Sequence, residues 1–370
     1  SSLCSYAKGK VSVDTLSKRN YVSTENMMPN KGGIVDAGAL PSAQYTQQYI
    51  KDDILVSNIR PYFKKIWMAD DDGGCSNDVL VFRADRGCDS TFLYYILAND
   101  AFFNYASATS KGTKMPRGDK TAIMQYKVPC FNYETQLRIG KLLRSIDDRI
   151  AVNKKINDNL QQQLFSLYEN MATASPCLKE YTLSNLCDFQ EGYVNPPQTH
   201  PEYFDGEVKW LRAVDINESF IIETSRTLTK AGFESAKKSA LLFEPNTIAI
   251  SKSGTIGRLG IIADYMCGNR AVINIAPHDT NMLAFIYCFL KSKQREFPDM
   301  AVGSVQKNLY VSLLEPLSVS IPDNESLTAF NAVGASILGM IHNNCVENTD
   351  LANLRDTILP KLMSGEIDVS

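Results

Sequence analysis

Apolar residues recur along two stretches of this chain with the period of a coiled-coil seam. Ile139, Leu143, Ile146, Ile150, Asn153, Asn157, Leu160, Leu164, Leu167 and Met171 step by four and three in turn, an average of 3.5 residues. Adding 191 to each number gives Phe330, Gly334, Ile337, Ile341, Asn344, Asn348, Leu351, Arg355, Ile358 and Leu362. The asparagine pair falls at the same two seam positions in both copies. The pattern predicts two long helices, about 134–172 and 325–363. Ala174-Ser175-Pro176 is placed to end the first, Pro360 to end or kink the second, and Gly365 to stop it.

Outside the helices the period shortens. Asp53–Ser57 and Val79–Phe82 read as buried strands, Thr91–Tyr105 as a helix, and Gly73-Gly74 and Asp85-Arg86-Gly87 as turns. After the first long helix come strands at Thr247–Ser251, Gly260–Ala263 and Ala271–Ile275, then an apolar helix at Met282–Leu290. Ile54–Ser57 matches Ile248–Ser251 at an offset of 194, Gly112-Thr113 matches Gly303-Ser304 at 191, and Val128-Pro129 matches Ile321-Pro322 at 193. A near-constant offset through strand, loop and helix indicates a duplicated unit. The expected fold is mixed α/β. Two pseudo-symmetric globules, 1–132 and 175–323, are separated by two long antiparallel helices, 133–174 and 324–370, that form a coiled coil. Asn153, Asn157, Asn344 and Asn348 would fix its register, because an unpartnered buried amide costs roughly 1–3 kcal/mol.

A net charge of −3 over 370 residues argues against binding nucleic acid through bulk charge, so any contact must be local. Local charge exists: Asn58–Trp67 carries Arg60, Lys64 and Lys65 with no anion, and Lys111–Lys120 carries four cations against Asp119. The second run holds too much Gly and Pro for regular structure and reads as a surface loop. Nine cysteines without a C-x-x-C pair fit reduced thiols in a cytoplasm rather than a disulfide framework or zinc site. The start, Ser1-Ser2-Leu3-Cys4, lacks a signal pattern and an initiator Met, so a cytoplasmic protein with a few residues removed is expected. No apolar run reaches the roughly 20 residues of a membrane span.

Two similar modules at the ends of a helical rod suit a split DNA site, whose half-sites lie roughly 34 Å, one helical turn, apart. Several phrases carry a family resemblance: Ser145–Asn157 in the first helix, Leu354–Glu366 in the second, and Val208–Ile216 at the start of the second globule. The chain resembles the specificity subunit of type I restriction-modification systems. The resemblance implies two target recognition domains, each reading half of a bipartite DNA sequence, and spacer helices that bind two methyltransferase subunits. S-adenosylmethionine would sit on those partners, ATP and Mg on a restriction subunit, and no cofactor or metal on this non-catalytic chain.

The resemblance transfers no base-reading residue, so candidates come from chemistry. Arg60, Lys64, Lys65, Lys111, Lys114, Arg117 and Lys120 can neutralise phosphates, and an arginine among them can grip guanine. Gly112 and Gly118 would let the loop approach the duplex. In the second globule the candidates are Arg212, Lys252, Ser253, Arg258, Asn269, Arg270, Gln306 and Lys307, with the amides suited to adenine.

Rival chemistry is weaker. Asn195-Pro196-Pro197-Gln198 resembles an adenine methyltransferase motif, but its fourth residue is not aromatic and no glycine-rich cofactor loop precedes it. Ser251–Arg258 lacks phosphate-loop spacing. His200, His278 and His342 form no metal-like pair. The alternative from another class is a structural adaptor whose globules bind protein rather than DNA.

Overall fold

The computed structural model describes residues 3–128, 130–174, 179–304 and 306–369. Pro129, the Ser175-Pro176 helix stop and Val305 lie outside the described residues. The chain forms two compact units, Ser1–Arg149 with Leu351–Ser370, and Ile150–Asp350. Two long helices, a central one at Tyr133–Ala174 and a C-terminal one at Asn324–Ser364, each contribute one half to each unit.

In the first unit, strands Cys4–Tyr6, Val79–Ala84, Ile54–Ser57 and Ile66–Met68 lie in that order in an antiparallel sheet. A second sheet holds Lys10–Ser12, Tyr45–Tyr49, Gly73–Cys75 and Tyr21–Val22 in that order, the last pair parallel. Gly73-Gly74 is therefore strand, not turn. A Cβ on Gly73 would stand 2.3 Å from the Asn20 carbonyl oxygen, so the glycine permits close strand approach. The helix expected over 91–105 is two helices, Ser90–Ala98 and Asp100–Ala108. Asn99 breaks it: its backbone is extended and its side chain accepts from the Ala101 amide at 2.9 Å, capping the second helix.

The second unit repeats this plan. Cys187–Glu191, Val272–Pro277, Ile248–Ser251 and Leu259–Ile262 form the matching sheet in the matching order, extended by Phe220–Ile221. In the other sheet Met266–Gly268 runs parallel to Phe204–Leu211 and antiparallel to Leu242–Phe243, as Gly73–Cys75 does to Tyr21–Val22 and Tyr45–Tyr49.

Each unit packs its globule onto the seam of its own helix halves. In the first, Phe92, Tyr95 and Ile96 bury against Ile139 and Leu143 of the central helix and Leu359 and Leu362 of the C-terminal helix. Each such side chain contributes roughly 1.5–3 kcal/mol. In the second, Leu164 and Tyr168 meet Phe285, Phe330, Ile337 and Ile341. The seam departs from the 3.5-residue pattern here: Leu167 is 41% exposed and Tyr168 takes the buried place. A straight helix has 3.6 residues per turn, so its buried face drifts one position off a strict heptad. The C-terminal helix continues through Pro360, whose ring is exposed while Leu359 and Leu362 are buried. It stops where Gly365 and Glu366 donate back to the Leu362 and Lys361 carbonyls.

Asn153 is fully buried, and its Nδ2 donates to Asn348 Oδ1 at 3.0 Å and Glu347 Oε2 at 2.8 Å. Asn157 Oδ1 accepts from Asn344 Nδ2 at 2.8 Å. The residue numbers pair in opposite senses, so the helix halves of this unit are antiparallel.

Candidate nucleic-acid interface

One edge of the first unit is stitched by three backbone hydrogen bonds. Ser76 donates to Val22 at 2.8 Å, Asn58 to Asp78 at 2.8 Å, and Gly118 to Asn58 at 3.1 Å. The last stitch joins the Asn58–Lys65 loop to the hairpin closed by Lys111 and Arg117, whose backbones exchange two bonds of 2.9 Å. Arg60 adds a bond to the Pro116 carbonyl at 2.8 Å. Two basic runs about fifty residues apart in sequence thus form one surface.

The second unit has the same edge. Asn269 donates to Leu211 at 2.9 Å, Lys252 to Ala271 at 2.7 Å, and Leu309 to Lys252 at 2.9 Å. Its hairpin is closed by Val302 and Asn308, each 191 residues after Lys111 and Arg117. Gly112 and Gly303, also 191 apart, both take positive φ, +99° and +142°, and any side chain there would be strained. This edge gathers Arg212, Lys252, Ser253, Arg258, Asn269, Arg270, Gln306 and Lys307 around its stitches.

The side chains differ in how much of their charge is available. Lys114, Lys120, Arg270 and Lys307 are exposed. Lys111 pairs with Asp119 at 2.6 Å, Arg117 with Asp78 at 3.0 Å and Lys64 with Asp100 at 2.8 Å. Solvent screening leaves such surface pairs weak enough for a phosphate to displace. Lys65 is turned inward: its Nζ donates to the Thr24 carbonyl at 2.6 Å, and burial lowers its pKa. Lys252 is also tied down, 2.8 Å from Glu191 and 4.8 Å over the Tyr310 ring, with 13% of its side chain exposed. Arg212 lies over Trp210 and donates to Ser225 Oγ. Asn269 spends its Oδ1 on the Ala271 amide, which leaves its NH2 group as the part able to read a base edge. Arg258 is half-buried, and its amide donates to Ser251 Oγ at 2.8 Å.

Sequence reasoning missed Lys31. The Asn30 and Lys31 amides bond to the Phe63 and Lys64 carbonyls at 2.8 Å each, and Lys31 Nζ reaches Asp100 at 3.0 Å. Burial pushes the Asp100 pKa up, but the hydrogen bonds from Lys64 and Lys31 outweigh it and the net shift is downward. Gly32-Gly33 beside Lys31 was the available signal. Asn30, Lys31, Arg60 and Lys64 all hold left-handed backbone without being glycine. Strain of this kind, roughly 1–3 kcal/mol per residue, concentrates at functional surfaces.

The decoys take ordinary places. Asn195–Gln198 is irregular loop, with Gln198 Oε1 accepting from Arg226 at 3.1 Å. His200 pairs with Glu202, His278 with Asp188, and His342 packs on Phe220. No group of three potential metal ligands occurs among the described residues. No helix among them is long and apolar enough to cross a membrane.

Comparison with known proteins accords with the duplicated edge. The type I restriction-modification DNA specificity domain matches twice, over residues 7–162 and 178–349. The specificity subunit of the type I restriction enzyme MjaIX from Methanocaldococcus jannaschii is 24% identical over 305 residues, 76% of this chain and 70% of that protein. The HindI specificity subunit from Haemophilus influenzae is 27% identical over 176 residues, 46% of this chain and 38% of that one. The crystal structure of the type I S subunit from M. genitalium shares the fold, with a TM-score of 0.52, 19% identity, and 99% and 97% of the two chains covered. With two matched domains spanning most of its length, the chain belongs to the family of type I restriction-modification DNA specificity subunits.

Proposed function

We propose that this specificity subunit reads a split DNA sequence, with one half-site on the stitched edge of each unit. The observation that carries this is the repetition of the same three backbone stitches and the same glycine-bearing hairpin on chemically different surfaces. One scaffold with two sets of side chains is what two different half-sites require. The first edge is rich in cations suited to phosphates and guanine. The second offers the Gln306 amide, suited to adenine, and the Asn269 NH2 group, suited to a base-edge acceptor, beside Arg258, Arg270 and Lys307.

In this reading the chain performs no catalysis. It acts in the cytoplasm and presents DNA to two methyltransferase subunits that carry S-adenosylmethionine, and to restriction subunits that use ATP and Mg. Selection from a random duplex library by the purified full chain, followed by sequencing, tests it. The expected result is two short fixed blocks separated by an unread gap of constant length, with affinity falling steeply with salt. A chain that enriches no sequence would instead be the protein-binding adaptor.

A further inference from the structure

The Asn58–Lys65 loop carries a feature that phosphate binding leaves without a use. Pro61–Phe63 forms a single 3-10 turn, flanked by Arg60 and Lys64 in left-handed backbone. It presents two aromatic rings to solvent. Tyr62 is 51% exposed and Phe63 37%, with ring centroids 4.8 Å apart. Phe63 is braced by two cations, the Arg60 guanidinium 6.0 Å and the Lys65 ammonium 5.9 Å from its centroid. Its backbone is anchored as well, with the carbonyl accepting from Asn30 and the amide donating to Arg60. Tyr62 is thus an aromatic tip on a rigid mount, in the same unit as the exposed Met115 of the hairpin.

We propose that Tyr62 is a wedge that enters the base stack of duplex DNA held on the first unit, partly unstacking one step and kinking the duplex there. The inference rests on the reading of this edge as a DNA surface. The surrounding cations select the occupant: Lys31, Arg60, Lys64, Lys111, Lys114 and Arg117 would hold the two phosphate strands. In such a setting the faces of bases are the apolar surface available to an aromatic ring. Apolar side chains inserted between base steps kink DNA, and the distortion is itself a source of sequence preference because flexible steps yield most easily. Preorganisation lowers the cost, since the strained backbone at Arg60 and Lys64 is already set before DNA arrives. The device belongs to one unit only: the corresponding loop, Lys252–Gly257, contains no aromatic residue.

The test uses the full chain and duplexes recovered by random selection, with 2-aminopurine placed at successive positions through the half-site of the first unit. Binding of the unmodified chain should raise fluorescence several-fold at one step. Tyr62→Phe should retain the rise, whereas Tyr62→Ala should abolish it and weaken affinity roughly five- to a hundred-fold, the range of one aromatic–base stack. Preference at the second half-site should not change. Tight binding with no rise at any position overturns the wedge and leaves the DNA reading intact, as does a rise that survives Tyr62→Ala. Unchanged fluorescence and DNA affinity in Tyr62→Ala, with weaker capture of a partner protein, would make the rings a protein-docking site and also overturn it. If the unmodified chain selects no duplex, the wedge falls together with the reading on which it rests.

Discussion

A single amide at the seam shows how much one residue can specify. Asn153 follows the apolar seam residue Ile150 and is fully buried: Asn348 and Glu347 accept both of its Nδ2 protons, while its Oδ1 accepts from none of the described residues. Shifting by 191 turns Asn153 into Asn344 and Asn157 into Asn348, so the pair Asn153–Asn348 and the pair Asn157–Asn344 exchange under the internal repeat. Sliding one helix half by a turn would keep one asparagine pair and leave the other amide of each helix facing leucine or isoleucine. Asn153→Leu removes the donor while keeping the volume, and should destabilise the second unit by about 1–3 kcal/mol. Thermal unfolding would register this as a fall in Tm, and an unchanged Tm would mean that the amide is not part of the register. The seam asparagines were legible in the sequence as exceptions to an apolar pattern. Which acceptors they meet was not, since Glu347 lies off the heptad positions.

Helix ends differ more than their repeat suggests. In the first unit Arg355 occupies a seam position and its Nη1 lies 2.6 Å from Asp147 Oδ1. Asp147 Oδ2 accepts from the Tyr95 hydroxyl at 2.6 Å, and burial together with that carboxylate pushes the tyrosine pKa up. This triad ties the globule to both helix halves of its unit. At the repeat-related positions in the second unit stand Leu164 and Leu338, both buried in an apolar cluster. Asp147→Leu alone should cost about 2–4 kcal/mol, somewhat below the value for a fully buried pair because the Arg355 and Asp147 side chains keep 21% and 27% of their surface. Asp147→Leu with Arg355→Leu recreates the apolar pairing of the second unit and should recover most of that stability. Denaturant unfolding of the two single variants and the double variant measures it, and equal destabilisation in all three would show that the charges are not coupled. The heptads made both helices legible, and Arg355 is the charged residue in the seam of the second. Its partner did not, because Asp147 sits one place beyond the seam residue Ile146. The Gly73 strand was misread for a similar reason: a glycine that admits a neighbouring backbone looks, in sequence, like one that makes a turn.

At the scale of the whole chain, the repeat conserves backbone and varies side chains. The stitches pair Asn58 with Asp78 and Gly118 in one unit, and Lys252 with Ala271 and Leu309 in the other, with little in common but their main-chain atoms. Strand and loop offsets of 191 to 194 residues made that duplication visible in the sequence. The basic runs were visible too, but not their compensation, because Asp78, Asp100 and Glu191 are distant in sequence from the cations they hold. Lys252, held by Glu191, and Lys65, turned onto the Thr24 carbonyl, have less to offer DNA than their charge suggests, whereas Lys114, Arg270 and Lys307 are exposed. If each edge reads its own half-site, substitutions must act locally. Lys114→Ala with Arg117→Ala should relax or weaken reading of one block of the selected motif, at about 1–3 kcal/mol for each base-edge interaction removed, and leave the other block intact. Gln306→Ala with Lys307→Ala should do the converse. Competition binding with duplexes altered in one block at a time separates the two. Crossed effects, in which either pair of substitutions relaxes both blocks, would mean that the edges read jointly and that the duplication divides the fold without dividing the recognition.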